Sequence, residues 1–162
     1  MPFHQEVFTW KKIKYVDVEV KIIESELTHL IRKNVLWPHI KDNDYSLPID
    51  KNPETFHLGT FHKQQIISIG TFTKEKHPNF DSKKQYRLRA MATEKKYQIK
   101  GAGKCLFLKS IELLKNKKIE LLWCDARIKA VPFYESLNMN GLDKVYNIVN
   151  IGLHKTMYLY IT

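Results

Sequence analysis

A glycine-bearing turn at residues 98–103, Gln-Ile-Lys-Gly-Ala-Gly, stands where a predicted strand gives way to a predicted helix. The first N–H groups of a helix have no intrahelical acceptor, and the helix dipole adds partial positive charge at that end. Glycine also lets the backbone approach a bound group closely. This combination favours binding of a pyrophosphate, although a plain tight turn shows the same pattern.

Positive charge surrounds this turn and is also spread along the chain. The net charge of +10 indicates either a polyanionic partner or a solvated basic surface. Four lysines flank the turn and would attract a phosphorylated ligand: Lys95, Lys96, Lys100 and Lys104. A nucleic-acid partner is not expected, because the sequence does not gather its cations and exposed aromatic residues on one face.

The elements that would position the turn follow from the spacing of apolar residues. Residues 7–12 and 13–23 are predicted to be extended, and Ser25 is predicted to cap a helix over 26–36. The apolar residues of that helix fall on one face: Leu27, Leu30, Ile31 and Val35. The polar, proline-broken segment 37–55 is too long for a plain connector and is interpreted as a lid over the acceptor.

The rest of the chain alternates strands and helices. The predicted elements are a hairpin of 56–61 and 66–74 with a turn at 62–65, an irregular segment 75–84, a strand 85–93, a helix from the glycine turn to about 116, a strand 119–124, a helix 129–137, a turn at Gly141, and an antiparallel pair 144–150 and 154–161. This order predicts an α+β fold with a mixed sheet and helices on both faces.

Length and composition suit one domain over residues 1–162. No apolar run approaches the roughly 20 residues that cross a bilayer, and the first residues do not resemble a signal peptide. A cytoplasmic location without a membrane partner is therefore expected. Cys105 and Cys124 are predicted to be reduced packing residues, and their spacing fits no metal site.

Four separated stretches resemble the GNAT superfamily of acyl-CoA-dependent N-acetyltransferases. They are the strand 88–93 (Leu-Arg-Ala-Met-Ala-Thr), the glycine turn, the run 122–127 (Leu-Trp-Cys-Asp-Ala-Arg), and Ala130 with 133–137 (Phe-Tyr-Glu-Ser-Leu). The chain also shows three runs of a GNAT subgroup: R-x-x-V-L-x-P from Arg32, F-H-L-G from Phe56 and G-x-H-x-x-M-Y from Gly152. The resemblance implies a three-layer fold with a mainly antiparallel twisted sheet and a splay between the two central strands.

The resemblance also implies where acetyl-CoA binds. Its pantetheine arm would enter between the central strands and meet the backbone of Met91, Ala92 and Thr93. The pyrophosphate would lie on the turn, against these residues: Gln98, Ile99, Lys100, Gly101, Ala102, Gly103 and Lys104. Phe133 would line the cofactor site and take no part in the chemistry.

The reaction implied by the resemblance is direct attack of a primary amine on the thioester in a ternary complex. The Met91 N–H would stabilise the oxyanion and Tyr134 would protonate the leaving sulfur. An alkylamine has a pKa of about 10.4, so a base must take its proton. Candidates are His154, His57 and Asp125, and a hydrogen-bonded structural role is the alternative for each histidine. Tyr134 has the alternative of a core aromatic residue.

Several positions depart from the family pattern. Asp125 replaces a common Asn that helps to hold pantetheine, and its carboxylate can accept a hydrogen bond but not donate one. Asp125 is therefore also a candidate anchor for a cationic acceptor. Ala90 replaces a frequent Gly, Met139 replaces Phe, and Leu153 replaces a frequent Pro.

The acceptor is expected to be a small-molecule amine or a protein amine. Acidic residues of segment 37–55 favour a cationic acceptor, unless the segment is merely solvated: Asp42, Asp44, Asp50 and Glu54. A sensor that binds CoA without turnover is the alternative function, and Arg32 and Arg89 are expected to pair with carboxylates inside the fold. The predicted edge strand at the C terminus makes a homodimer possible.

Overall fold

The computed structural model describes residues 17–161 of the 162-residue chain. The strands within these residues are β1 Val18–Ile23, β2 Phe56–His62, β3 Gln65–Lys74, β4 Gln85–Thr93, β5 Leu121–Arg127, β6 Asn140–Ile148 and β7 Gly152–Tyr160. The α-helices are α1 His29–Ile31, α2 Ala102–Asn116 and α3 Val131–Ser136. Shorter helical turns are the 3-10 turns Ser25–Thr28, Pro48–Lys51, Lys95–Tyr97 and Ile128–Ala130, and the π-helical turn Arg32–Leu36.

The strands form one mixed sheet in the order β1-β2-β3-β4-β5-β7-β6. The pairs β1–β2, β5–β7 and β6–β7 are antiparallel, whereas β4 and β5 are parallel. The predicted fold class, a mixed and mainly antiparallel sheet combined with helices, is therefore confirmed. The predicted strand 7–12 and the first residues of the predicted strand 13–23 lie outside the described part of the chain.

Contacts divide the chain into two compact units, which are described separately. Of the described residues, the first unit contains those from 17 to Thr71 together with Ala90–Ser110. The second unit contains Phe72–Arg89 and the described residues from Ile111 onward. A single domain over residues 1–162 stays a prediction.

In the first unit, the predicted hairpin turns at two residues in the left-handed region, Lys63 (φ 47°) and Gln64 (φ 67°). A two-residue turn of this kind matches the twist of paired strands. β1 pairs with β2 from Val18–His62 to Ile23–His57. Two apolar clusters form the core of this unit: Val18, Ile67, Ala102 and Cys105, and Ile23, Ile31, Ile69 and Ala92.

The predicted helix over 26–36 is wrong in its regularity and its cap. The N-cap is Glu24, which makes no side-chain capping bond. Ser25 lies inside the first turn, where its carbonyl accepts a 2.6 Å hydrogen bond from the Thr28 hydroxyl. Leu27 and Leu30 are 52% and 66% exposed. Compared with the prediction, the segment is rotated about its axis. Arg32 is fully buried, because its guanidinium must reach partners inside the unit.

In the second unit, β5 is buried along four consecutive residues, Leu121 to Cys124, as predicted for a central strand. Its parallel ladder with β4 covers Gln85–Leu121, Tyr86–Leu122 and Arg87–Trp123. Within this unit the ladder ends there, although both strands continue, which agrees with the predicted splay. The predicted irregular segment 75–84 contains no regular element, and its Phe80 packs against Leu121 and Trp123.

The predicted turn at Gly141 is wrong, since this residue lies in β6 opposite Met157. A Cβ on Gly141 would come within 2.7 Å of Cε of Lys155, which is the end of a flexible side chain, and the ladder register shifts just after this residue. The chain turns instead at residues 149–151, where Asn150 has a φ of 66°.

Cys105 and Cys124 are buried and free, as predicted. Burial raises their pKa values to about 11 and about 12. Across residues 17–161, no helix combines the length and apolarity needed to cross a bilayer. The same residues contain no group of three or more His, Cys, Asp or Glu side chains that could hold a metal ion.

Candidate active site

The glycine turn of the first unit joins β4 to α2 through the 3-10 turn Lys95–Tyr97. Side-chain contacts to the backbone hold it: Nε2 of Gln98 donates to the Thr93 carbonyl at 2.9 Å, and Nζ of Lys100 donates to the Lys96 carbonyl at 3.1 Å. Ile99 (φ 62°) and Gly101 (φ 92°) adopt left-handed conformations. The side chain of Ile99 is fully exposed, so it takes no part in the apolar core.

This turn fits a diphosphate. The N–H of Cys105 donates to the Gly101 carbonyl at 3.0 Å and thereby closes the first turn of α2. The N–H groups of Ala102, Gly103 and Lys104 precede that bond, so they have no intrahelical acceptor. They open a helix of 15 residues, whose dipole favours an anion at this end.

The end of β4 carries the three residues predicted to meet pantetheine. Ala92 is buried and its carbonyl accepts a 3.2 Å hydrogen bond from Ser68, whose hydroxyl also lies 2.9 Å from that of Thr93. Met91 is half-buried and follows Ala90, which has a φ of 50°. A left-handed residue interrupts regular strand geometry, and this conformation is sterically easier for Gly than for Ala.

A cavity opens beside the same turn in the first unit. Its volume is about 390 Å³, and its lining residues are Lys33, Asn34, Pro38, Glu94 and Lys95. Nδ2 of Asn34 donates to Oε1 of Glu94 at 3.2 Å. Pro38 belongs to segment 37–55, so this segment contributes one lining residue to a cavity next to the glycine turn. A lid role for the segment stays a prediction.

In the second unit, Tyr134 lies on α3 and is buried. Burial raises the pKa of this phenol well above its ordinary value, and a hydrogen bond with the Cys124 thiol contributes to the shift. The phenol is therefore protonated at neutral pH, and its burial also fits the alternative of a core aromatic residue. Phe133 is half-buried and packs edge-on against Tyr134, with ring centroids 5.2 Å apart.

Asp125 lies on β5, where its carboxylate is held by three side chains. Nη2 of Arg87 donates to Oδ2 at 2.7 Å. The Tyr146 hydroxyl donates to Oδ1, and the Thr156 hydroxyl lies 3.4 Å from the same oxygen. These contacts occupy both oxygens of Asp125, which suits an anchoring role better than that of a free base.

His154 lies on β7 and is buried. Its Nδ1 is 2.7 Å from the Gly152 carbonyl. Because a carbonyl can only accept, Nδ1 carries the proton of the neutral ring and Nε2 keeps a lone pair that can take a proton. The ring stacks on that of Tyr146, with centroids 6.2 Å apart and an interplanar angle of 24°.

Comparison with known proteins now identifies the family. The acetyltransferase (GNAT) domain family matches residues 33–140. The uncharacterized N-acetyltransferase YitI of Bacillus subtilis is 33% identical over 141 residues, which are 87% of this chain and 95% of that protein. The chain belongs to the GNAT acetyltransferase family. It is accordingly an acyltransferase that uses acetyl-CoA, and the turn described above fits this cofactor.

Two solved structures share this fold. An aminoglycoside 6'-N-acetyltransferase in complex with coenzyme A has a TM-score of 0.72 at 9% identity, covering 89% of this chain and 97% of that one. FeeM, an N-acyl amino acid synthase from uncultured soil microbes, has a TM-score of 0.71 at 12% identity and covers 89% and 91%. At such low identities these likenesses concern the fold alone.

His57, the other candidate base, belongs to the first unit of this GNAT chain. Its Nδ1 lies 2.9 Å from the Thr71 hydroxyl, and its Nε2 is buried 3.8 Å from Oδ1 of Asp50. Burial lowers the pKa of His57. Arg32 donates two hydrogen bonds to Asp50, at 2.7 and 2.9 Å, which confirms the predicted pairing of Arg32 with a carboxylate. His57 therefore belongs to a buried structural cluster.

Sequence reasoning missed Arg87, Tyr146 and Thr156. It considered Arg89 but not Arg87, which pairs with Asp125 and Glu75. The available signal was strand alternation, because Arg87 and Arg89 share a face and either can meet a carboxylate on a neighbouring strand. Tyr146 gave no local signal, since its partners lie on β5 and β7.

Proposed function

We propose that this acyltransferase is an N-acetyltransferase that moves an acetyl group from acetyl-CoA to a primary amine by direct attack in a ternary complex. The observation that carries the proposal is the opening of α2, where Gly101 has a positive φ and the following amides precede the first helical hydrogen bond. A chain of the GNAT family with this turn has a place for the diphosphate of its cofactor.

Each cofactor-binding residue has a role in this proposal. The amides of residues 100–104 hold the pyrophosphate, while Gln98 braces the turn against Thr93. Ile99 lends its backbone and not its exposed side chain. The backbone of Met91, Ala92 and Thr93 bonds the pantetheine arm, and Phe133 lines the arm's site.

Bound acetyl-CoA supplies an activated acetyl thioester. His154 takes the proton of the attacking amine at Nε2, because its Nδ1 is already committed to Gly152. The Met91 N–H, which follows the left-handed residue Ala90, stabilises the oxyanion as the C–N bond forms. Tyr134 gives its proton to sulfur as the C–S bond breaks. Asp125 takes no proton in this scheme, and its Oδ1 holds the Tyr146 hydroxyl.

The acidic residues of segment 37–55 give little support to a cationic acceptor. In segment 37–55, Asp50 is buried against Arg32 and is not available to a cationic substrate. Asp42 accepts from the Asp44 amide and Asp44 from the Ser46 amide, so both also support the loop itself. The cavity beside the cofactor turn contains two lysines and one glutamate, which favours an acceptor that carries an anionic group beside its amine.

The test is a thiol-release assay with acetyl-CoA across amines, amino acids, peptides and aminoglycosides. We expect turnover with at least one class, and Tyr134→Phe should lower kcat by about 100-fold while leaving the Kd of acetyl-CoA within about twofold. Gly101→Glu should abolish the calorimetric signal of acetyl-CoA binding, because the new carboxylate would repel the diphosphate. Binding without turnover by the parent protein would indicate a sensor, and binding that survives Gly101→Glu would contradict the proposed cofactor site.

Three further expectations stay predictions: a single domain, a cytoplasmic location and a homodimer formed through an edge strand near the C terminus. In the observed sheet that edge strand is β6, because the last strand, β7, lies between β5 and β6. Sedimentation of the purified protein would test the last of them.

A further inference from the structure

Tyr146 contacts two groups of the proposed site, although neither its position in the chain nor its residue type pointed to it. Its hydroxyl donates to Oδ1 of Asp125 and lies 3.2 Å from the Thr156 hydroxyl. Its ring stacks on the imidazole of His154. The two residues are also direct partners in the β6–β7 ladder. Tyr146 therefore links the anchored carboxylate to the candidate base.

The partner of the Tyr146 hydroxyl is itself immobilised. Arg87 donates to Oδ2 of Asp125, and its guanidinium lies over the Trp123 ring at 4.8 Å. The same guanidinium pairs with both oxygens of Glu75 at 3.2 Å. An Asp125 carboxylate held in this way cannot rotate freely, so it fixes the far end of the Tyr146 ring.

His154 needs such support if it is to act as a base. Its hydrogen bond to Gly152 holds one ring nitrogen, but one bond leaves the ring able to tilt about it. A stacked aromatic face removes that freedom. The lone pair of Nε2 then keeps a fixed direction, and catalysis is sensitive to misplacement of a reacting group by about 1 Å.

We propose that Tyr146 is a positioning residue for His154, held by Asp125 through its hydroxyl and holding the imidazole through its ring. This inference rests on the proposed function, because His154 is the base of that scheme. Tyr146 itself touches no reacting atom in it.

Tyr146 acts on His154 through packing and not through charge. Arg127 is its partner in the β5–β7 ladder, Lys155 follows it on β7, and Asp125 lies beyond Tyr146. Tyr146 is neutral, since burial and its hydrogen bond to Asp125 raise its pKa to about 12. Replacing it with Leu therefore removes the ring that packs on His154, replacing it with Phe removes only the hydroxyl, and both changes leave the net charge unchanged.

The experiment compares Tyr146→Leu, Tyr146→Phe and the matched control Tyr160→Leu, which makes the same change at an exposed tyrosine of the same unit. Kinetics would use an acceptor found in the thiol-release assay. We expect Tyr146→Leu to lower kcat by about 100-fold with the KM of acetyl-CoA within about twofold. Tyr146→Phe keeps the ring and should lose about tenfold or less. Tyr160→Leu should match the parent protein.

A second readout does not depend on activity. Long-range 15N spectra of labelled histidine, with His154→Gln to assign the signal, should show His154 of the parent protein in the Nδ1–H tautomer. Tyr146→Leu should shift His154 toward a mixture of tautomers.

The proposal is overturned if folded Tyr146→Leu keeps both the parent kcat and the parent tautomer, or if Tyr160→Leu loses as much activity. Should Tyr146→Leu not fold, unchanged kcat and spectra in Tyr146→Phe together would count against the anchoring by Asp125 that the proposal requires. If the parent protein transfers no acetyl group, the proposed function fails. The spectra still decide whether Tyr146 positions His154.

Discussion

Two arginine–aspartate clusters, one in each unit, are built from similar parts and differ in their access to solvent. Arg32 and Asp50 in the first unit have side chains that are 0% and 4% exposed. Arg87 and Asp125 in the second unit are 19% and 20% exposed. In each cluster the charged pair contacts a threonine hydroxyl, Thr71 in the first and Thr156 in the second.

The difference in exposure separates a structural cluster from a candidate functional one. Arg32 also donates to the Tyr45 carbonyl, and Asp50 accepts from the Leu47 amide, so the first cluster ties segment 37–55 to β3. Removing one partner there leaves a buried charge uncompensated. Arg87 in the second cluster keeps Glu75 as a second carboxylate, so losing one partner costs less stability.

Among the changes that test this comparison, Asp50→Asn is expected to have the largest effect on stability. The change leaves the guanidinium of Arg32 buried without a counter-charge, so the free energy of unfolding should fall by about 3–5 kcal/mol. Urea denaturation followed by tryptophan fluorescence would measure it. The double variant Arg32→Met with Asp50→Leu should recover most of the loss, because an apolar pair leaves no charge unpaired. A loss below about 1 kcal/mol for Asp50→Asn would mean that the first cluster is not the structural one.

The matched change in the second unit, Asp125→Asn, should have a smaller effect on stability and a measurable one on activity. We expect the free energy of unfolding to fall by less than about 1 kcal/mol, since both residues of the pair are partly solvated and Arg87 retains Glu75. The kcat of acetyl transfer should fall by about tenfold, because the anchor of Tyr146 is weakened. Equal destabilisation by Asp125→Asn and Asp50→Asn would remove the distinction between the clusters.

The smallest effect on stability is expected from lowering the pH. Burial lowers the pKa of His57 below 6.5, and Asp50 partly opposes this shift. The unfolded chain therefore binds more protons than the folded one as the pH falls below about 6.5, and stability should decrease in that range. Denaturation at pH 7.5 and pH 5.5 should show a smaller decrease for His57→Gln. Burial also lowers the pKa of His77 in the second unit. His77→Gln, measured at the same two pH values, is therefore the matching variant for that unit.

Asp50 is expected to cause a further loss of stability at more acidic pH. Burial alone would raise the pKa of Asp50, but the hydrogen bonds from Arg32 and the Leu47 amide outweigh it and lower the pKa below 3.8. The stability that this group contributes is present above about pH 4 and is lost as the pH falls further. A parent protein as stable at pH 3 as at pH 6 would contradict this prediction.

Much of the fold could be predicted because local patterns specified it. The strand 85–93 was predicted with the observed bounds, and the apolar run 119–124 identified β5 within a few residues. The glycine turn before α2 was found because glycine has a backbone preference that shows in the sequence alone. The first helical segment was predicted poorly, since the burial of Arg32 outweighs the apolar spacing of Leu27 and Leu30.

The candidate site likewise contains some residues that contiguous motifs identify and others that they do not. Tyr134 and the turn 98–104 were chosen from contiguous motifs, and their roles stay predictions. The partners of Asp125 could not be found in this way, because they lie on three other strands: Arg87 on β4, Tyr146 on β6 and Thr156 on β7. Pairing between distant strands leaves no fixed spacing in the chain.

The amino-acid sequence by itself determined the order of the elements, the glycine turn that opens α2 and the family to which the chain belongs. These features depend on backbone preferences and local periodicity, which act between residues close in the chain. Only the tertiary structure decided which charges are paired and how deeply they are buried. Exposure and partner choice arise when separate strands come together, and they distinguish Asp50, a buried structural carboxylate, from Asp125, a partly solvated one.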